Sequence, residues 1–174
     1  VWQEGGEFVG LFGMDVLRDG VLTLDYAGDT VSLAPGALPP ADGRSVFNYG
    51  LTEDGLMTLT LSIGGVEHLA VLDSGHTAAT LVMPEATART LIQGEPRARG
   101  RMRTVANTFT VYEGDLASPV RLGEATLPIS TVTWPGPGDL ILIGSKALRG
   151  ARVRIDQANR RIEITWPNGP PPPA

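Results

Sequence analysis

Apolar and polar residues alternate along several short stretches of this chain, a two-residue period that is typical of β-strands with one buried face. From Met57 to Ile63 the apolar positions are separated by threonine or serine. Arg152–Asp156 and Arg161–Thr165 alternate in the same way. Gly64-Gly65 follows the first of these stretches and predicts a two-residue hairpin turn. We therefore predict many short strands joined by tight turns.

One stretch has helical character instead, from Pro84 to Leu91. Proline suits the first helical position because the N–H that it lacks would have no partner there, and Glu85 complements the positive end of the helix dipole. Gln93-Gly94 follows as an end signal. The predicted fold is therefore mostly β, a small closed barrel or sandwich over Val46 to Trp166 with one short helix.

Two predicted strands are apolar throughout and end at a glycine-containing turn. Leu69–Leu72 runs directly into Asp73-Ser74-Gly75, and Leu140–Ile143 runs into Gly144. The first arrangement places a carboxylate at the end of a buried strand, where partial burial or a nearby like charge can shift its pKa. Asp-Ser-Gly alone is also an ordinary turn sequence, so its weight comes from this context.

Composition excludes several classes of function. With 174 residues, a net charge of −5 and a sequence pI near 5.0, the chain lacks the basic surface that nucleic-acid binding needs. No apolar run approaches the roughly 18 residues of a membrane span. The absence of cysteine excludes disulfides and thiolate chemistry. Two separated histidines make a poor metal site, so we expect no cofactor. The first residue is Val1, which is compatible with a processed periplasmic or secreted protein, but the compartment is not indicated.

The first 34 residues align without a gap with a segment near the other end of the chain, at a constant offset of 131 residues (144 − 13). Matched glycine, Leu-Arg and aspartate at fixed spacing favour an internal duplication over a chance likeness of two hairpins. The matched pairs are Gly13 with Gly144, Leu17 with Leu148, Arg18 with Arg149, Asp25 with Asp156 and Ala27 with Ala158.

This duplication predicts four parts of the chain. Residues 1–34 are the C-terminal half of a first lobe, whose own Asp-Ser/Thr-Gly strand is expected upstream; residues 35–45 are a linker rich in proline and glycine. Residues 46–166 form a complete lobe and residues 167–174 a proline-rich tail. A half-lobe cannot bury its apolar face alone. It must pack on a separate fragment, pair with another copy or cover the edge of the second lobe, and we expect one of the first two.

The order of these motifs resembles the retropepsin-like aspartic proteases, including the bacterial gag-polyprotein type. An apolar strand enters Asp-Ser-Gly, a later apolar strand ends at glycine, and a short helix and a closing hairpin follow. The resemblance covers Val46 to Trp166, and the repeat points to a pepsin-like parent with two lobes. It implies a peptidase in which two aspartates share one proton and activate a water molecule.

The resemblance also implies roles for single residues. Asp73 is the candidate catalytic aspartate; Ser74, whose hydroxyl bonds across to the partner loop, and Gly75, whose turn supports the carboxylate, are its supports. His76 departs from the small residue usual in the family. Its ring either bonds to Asp73 and modulates activity, or points outward without effect. The expected flap runs from Arg99 to Thr110, with the candidate residues Arg99, Gly100, Arg101, Met102, Arg103 and Asn107.

Arg97, Arg99, Arg101 and Arg103 alternate with other residues in this region. We interpret them as a solvated strand edge that resists aggregation, in preference to an anion or substrate-tail site.

Two functions from different classes stay open. The first is an aspartic endopeptidase acting on a peptide or protein substrate, with the second aspartate from another chain (a homodimer) or from a complementary upstream half-lobe. The second is a catalytically inactive retropepsin-like module used for binding or assembly.

Overall fold

The computed structural model describes residues 14–103, 108–134 and 139–169. Over these residues the protein is mostly β, with the helix α1 (Glu85–Leu91) and two 3-10 turns, Met14–Leu17 and Ser145–Leu148. The strands are β1 (Val21–Asp25), β2 (Thr30–Ala34), β3 (Val46–Asn48), β4 (Gly50–Leu51), β5 (Met57–Ile63), β6 (Val66–Asp73), β7 (Leu81–Val82), β8 (Ile92–Arg103), β9 (Thr108–Leu116), β10 (Val120–Leu122), β11 (Ala125–Thr126), β12 (Thr131–Trp134), β13 (Leu142–Gly144), β14 (Arg152–Asp156) and β15 (Arg161–Thr165).

The strands form two sheets. The smaller has the order β2-β1-β14-β15-β3, and the larger has the order β11-β10-β5-β6-β13-β7-β12-β9-β8 with β4 added to β5. Closure of a sheet requires its two end strands to pair, and in the described part of the chain neither sheet does so. Of the two predicted alternatives, a closed barrel or a sandwich, the closed barrel is therefore not formed, and the mostly β class with one short helix is confirmed.

The larger sheet has a crossing at its centre. β13 lies between β6 and β7, parallel to the former and antiparallel to the latter. Its last residue, Gly144, is the register partner of Asp73 at the end of β6. Parallel pairing brings the C-terminal ends of both strands to the same edge, so the two predicted motifs meet there.

The core lies between the sheets and is built from alternate positions of the strands. On β5, Leu59, Leu61 and Ile63 are buried, each contributing about 1.5–3 kcal/mol relative to an exposed side chain. Trp134 on β12 is also buried and stacks on Tyr112, with ring centroids 6.1 Å apart. The alternation seen in the sequence thus corresponds to one apolar face of the sheet.

The hairpin β1–β2 adds to the smaller sheet through β14. Val21 lies opposite Asp156, and Asp25 lies opposite Arg152. Our expectation that residues 1–34 pack only outside the Val46–Trp166 lobe is therefore wrong for this hairpin, which covers the edge of that lobe. The cause is the free edge of β14, whose main-chain groups need partners. Residues 1–13 of the predicted half-lobe lie outside the described residues.

The segment predicted as a linker is anchored at one point. Leu38 is buried, its N–H donates to Asp156 Oδ2 at 2.9 Å, and its carbonyl accepts from Arg161 Nη1 at 2.8 Å. Of the tail, only 167–169 are described, and residues 170–174 lie outside the described part.

Candidate active site

Asp73 ends β6, and its carboxylate is held by the turn that follows. The main-chain N–H groups of Gly75 and His76 donate to Asp73 Oδ1 at 3.0 and 3.2 Å. These two bonds fix the orientation of the carboxylate. The side chain is only half-buried, so one side stays open to an incoming group.

The turn itself is fixed by the start of the second 3-10 turn. Ser145 N–H donates to the carbonyl of His76 at 2.9 Å, and Lys146 Nζ donates to the carbonyl of Ala78 at 3.0 Å. Gly144 lies so close that an added Cβ would be 2.2 Å from the Ala79 carbonyl oxygen. The glycine after the second apolar strand is therefore required by this close approach.

Ser74 contacts the hairpin at the start of the chain. Its hydroxyl interacts with the phenol of Tyr26, which directly follows β1. Burial raises the pKa of the Tyr26 phenol, and the contact with Ser74 opposes this effect. Sequence reasoning missed Tyr26. The available signal was a tyrosine placed directly after Asp25, where the repeat has Gln157.

His76 adopts neither of the two orientations expected from the sequence. Its main-chain N–H contacts Asp73, whereas its ring lines a cavity under the β8–β9 hairpin. Its Nε2 is buried and has no hydrogen-bond partner in the described part of the chain. The ring is thus turned towards the protein rather than towards solvent.

The predicted flap is a long hairpin of β8 and β9 at one end of the larger sheet. Arg99, Gly100, Arg101 and Met102 lie on β8. Arg103 ends this strand, but its side chain is outside the described set, as is the whole of Asn107. The position of β8 at the sheet edge agrees with the interpretation of the arginines as an edge.

Two cavities adjoin the turn after Asp73. One, of about 410 Å³, lies between the β1–β2 hairpin and the rest of the protein, and includes Ser74 and Tyr26 among apolar side chains. The other, of about 300 Å³, includes His76, Arg99 and Arg101. The described residues contain no cluster of potential metal ligands and no helix long and apolar enough to cross a membrane.

Comparison with known proteins identifies the fold. No family profile and no curated protein matches the chain. Among solved structures, it is similar to the crystal structure of a retropepsin-like aspartic protease from Rickettsia conorii. The TM-score is 0.54 at 17% sequence identity, with 70% of this chain and 90% of that chain covered. Similarity at this level of identity establishes architecture and not activity, and on this basis the chain has a retropepsin-like fold.

Proposed function

We propose that the protein is an aspartic endopeptidase in which Asp73 supplies one of two catalytic carboxylates. The observation that carries this proposal is the geometry of Asp73: it ends a central strand beside Gly144, main-chain N–H groups hold one of its oxygens, and it remains half open. The retropepsin-like fold of the solved neighbour is consistent with that role.

The proposed reaction needs a second aspartate next to Asp73. Two carboxylates at close range share one proton, so that one removes a proton from the attacking water and the other protonates the peptide carbonyl oxygen. The water oxygen bonds to the carbonyl carbon. As the C–N bond then breaks, the carboxyl that took the water proton gives it to the leaving nitrogen, and the other carboxylate takes a proton back from a hydroxyl of the intermediate. The apparent pKa values belong to the pair of carboxylates.

The source of the second aspartate is, in this proposal, a partner lobe that packs on β2. At the centre of the antiparallel pairing of β1 and β14, Thr23 lies opposite Arg154. These two residues are equivalent positions of the proposed repeat (154 − 23 = 131), so the two hairpins are related symmetrically about this pair. Both turns also have a left-handed residue at equivalent positions, Asp29 and Arg160, each with φ 50°. These observations support a first lobe related to the second by an approximate two-fold axis.

Burial of the two hairpins supports the same arrangement. Val31 and Leu33 on β2 are 69% and 42% exposed, whereas the equivalent Ile162 and Ile164 on β15 are buried at 0% and 5%. β15 is covered by β3, and the described residues provide no strand beyond β2. A partner lobe, from the upstream part of a longer chain or from a second copy, would bury this face.

Replacement of Asp73 tests the proposal. Asp73→Asn keeps the shape but removes the shareable proton, so cleavage of a peptide substrate at acid pH should be abolished while the circular dichroism spectrum is unchanged. A statine-type mimic of the tetrahedral intermediate should inhibit the wild-type protein. The matched control is Asp54→Asn in an exposed turn, which should retain activity. Residual Asp73→Asn activity within about tenfold of wild type, or 1.4 kcal/mol of barrier, contradicts the role of Asp73.

The second candidate is a module without catalysis that binds peptides or assembles through its open strands. It is favoured by His76, because a histidine ring lines the cavity beside the turn where the family has a small residue. If the wild-type protein is inactive between about pH 3 and 7, even with a partner lobe that carries Asp-Ser-Gly, this candidate replaces the first. Activity in a His76→Ala variant would instead show that the histidine silences a competent site.

A further inference from the structure

The cavity under the flap hairpin combines apolar walls with basic groups. Its apolar surface comes from side chains of the turn after Asp73 and of neighbouring strands, namely Ala78, Ala79, Val82, Met102 and Val111. Its basic groups are His76, Arg99 and Arg101. No carboxylate lines it among the described residues. At about 300 Å³ it has room for one amino-acid side chain with several methylene groups.

Acidic residues of β9 neutralise only part of the arginine series on β8. Arg97 forms a two-bond ion pair with Asp115, at 2.6 and 2.9 Å, and Arg99 pairs with Glu113. Arg101 lies opposite Thr110, an uncharged residue, and has no ion-pair or hydrogen-bond partner in the described part of the chain. One positive charge at the cavity is therefore left without a counter-ion from the described residues.

The histidine that lines this cavity also carries an unsatisfied ring nitrogen. His76 Nε2 is shielded from solvent and lacks a hydrogen-bond partner among the described residues. A buried polar atom without a partner is costly, so this histidine makes the turn beside the cavity an unusual place in the fold. The main chain of the same residue contacts the carboxylate of Asp73 at 3.2 Å, so the cavity adjoins the proposed catalytic group directly.

We propose that this cavity binds an acidic side chain of the peptide substrate, with glutamate preferred to aspartate. The apolar walls contact the two methylene groups of glutamate, while its carboxylate pairs with Arg101. Planar guanidinium groups suit carboxylates because two of their N–H donors can bond in parallel. This inference rests on the proposed function for its biological meaning, but the cavity belongs to one chain and its binding can be measured without catalysis.

The test is a binding comparison of matched peptides. Fluorescein-labelled octapeptides of alanine and leucine carry a single glutamate moved through each position, and a second set carries glutamine instead. We expect at least one glutamate peptide to bind the wild-type protein about fivefold more tightly than its glutamine counterpart, as one partly exposed ion pair allows, measured by fluorescence anisotropy. The aspartate version of that peptide should bind less tightly than the glutamate version.

Two variants assign the effect to the cavity. In Arg101→Gln the ratio of the two dissociation constants should fall to about one, because the charge partner is removed. Arg121→Gln removes the same charge from β10, at the other end of the sheet order, and should leave the ratio unchanged. A ratio below about twofold for wild type at every position, including an absence of detectable binding, overturns the inference, as does a ratio that persists in Arg101→Gln.

The outcome separates this inference from the proposed function. Cleavage of peptides without any glutamate preference would overturn the acidic subsite and leave the endopeptidase proposal intact. A glutamate preference that depends on Arg101, in a protein that cleaves nothing, would support the subsite and favour the binding module.

Discussion

The turn after Asp73 is tight because two main-chain carbonyls converge on Gly144. The carbonyl oxygens of Ala79 and His76 lie 2.2 and 2.7 Å from the position that a Cβ on Gly144 would occupy. Neither atom is at the end of a flexible side chain, so the backbone itself would have to move. This residue therefore links the geometry of the candidate site to the stability of the fold.

Gly144→Ala should lower the free energy of unfolding by about 1–3 kcal/mol, because the added methyl group displaces the backbone of the turn. Urea denaturation followed by tryptophan fluorescence measures the change. Gly28→Ala is the matched control: there a Cβ would meet only Asp25 side-chain atoms at 3.5 Å or more, and the loss should be much smaller. Equal losses for the two variants would contradict the close approach.

Asp156 connects the predicted linker to the closing hairpin. Burial raises the pKa of its carboxyl, but hydrogen bonds from Asn159 and Leu38 and the charge of Arg161 outweigh that effect, and the net pKa is lowered from 3.8. Because the folded-state pKa lies below the unfolded one, the ionised group stabilises the fold above the unfolded pKa. This contribution is lost as the pH falls through the folded pKa.

Asp156→Asn should therefore reduce stability at neutral pH by about 1–3 kcal/mol, the usual effect of losing hydrogen bonds to a buried charge. The difference from wild type should shrink once the pH falls below the lowered folded-state pKa, where the wild-type carboxyl is also protonated. Thermal denaturation at neutral and acid pH measures both differences. A difference that does not change with pH would show that shape rather than charge holds Leu38.

Among the elements, β1 and β2 have the same length but very different burial. Leu22 on β1 is 2% exposed and belongs to the main core, although it precedes the predicted complete lobe. Val31 on β2 is 69% exposed. The first strand of the hairpin is thus integral to the fold, and the second provides a surface.

Leu22→Ala should destabilise the protein by about 2–5 kcal/mol, since it removes a buried side chain and leaves a cavity. Val31→Ala, the control on the other strand of the hairpin, should change stability by less than about 0.5 kcal/mol in the isolated chain. Both are measured by urea denaturation. If Leu22→Ala were as mild as Val31→Ala, the hairpin would not be part of the cooperative unit.

Local sequence patterns predicted individual elements well and their neighbours poorly. β5, β14 and β15 have the predicted bounds, and α1 begins one residue later than predicted because Pro84 serves as its N-cap. The insertion of β13 between β6 and β7 could not be predicted, since alternation specifies which face of a strand is buried but not which strand lies beside it.

In the candidate site, too, the local motifs could be predicted from the sequence and the contacts between distant segments could not. Asp73 and Gly144 could be identified from the sequence because each directly follows a run of apolar residues that predicts a buried strand. The contact between Tyr26 and Ser74, and the cavity lined by His76, depend on packing between segments far apart in sequence. The local signal, a tyrosine where the repeat has Gln157, does not identify the residue that it contacts. Whether the two end strands of a sheet pair with each other is likewise not specified by the two-residue alternation of the sequence.

At the scale of the whole molecule, the open face of β2 determines what the proposed enzyme needs. Catalysis requires a second carboxylate, and the exposed Val31 and Leu33 lie where the equivalent Ile162 and Ile164 are covered. Exposed apolar residues on an edge strand favour association, because burial of their side chains and pairing of free main-chain groups both stabilise a complex. The same surface therefore governs assembly and, in the proposed mechanism, activity.

The purified protein should accordingly be larger than a single 18.4 kDa chain, either as a homodimer or with a bound upstream fragment. Light scattering combined with mass spectrometry of the intact sample measures this.

Val31→Asp with Leu33→Asp should yield the monomer, because two charges on the open face oppose burial. The melting temperature of the isolated chain should change little, since both positions are exposed. Val66→Asp with Leu69→Asp, on the exposed positions of β6, is the matched control and should leave assembly intact. A wild-type sample that is a monomer without a second peptide would rule out a stable partner lobe on β2, and with it this route to the second aspartate.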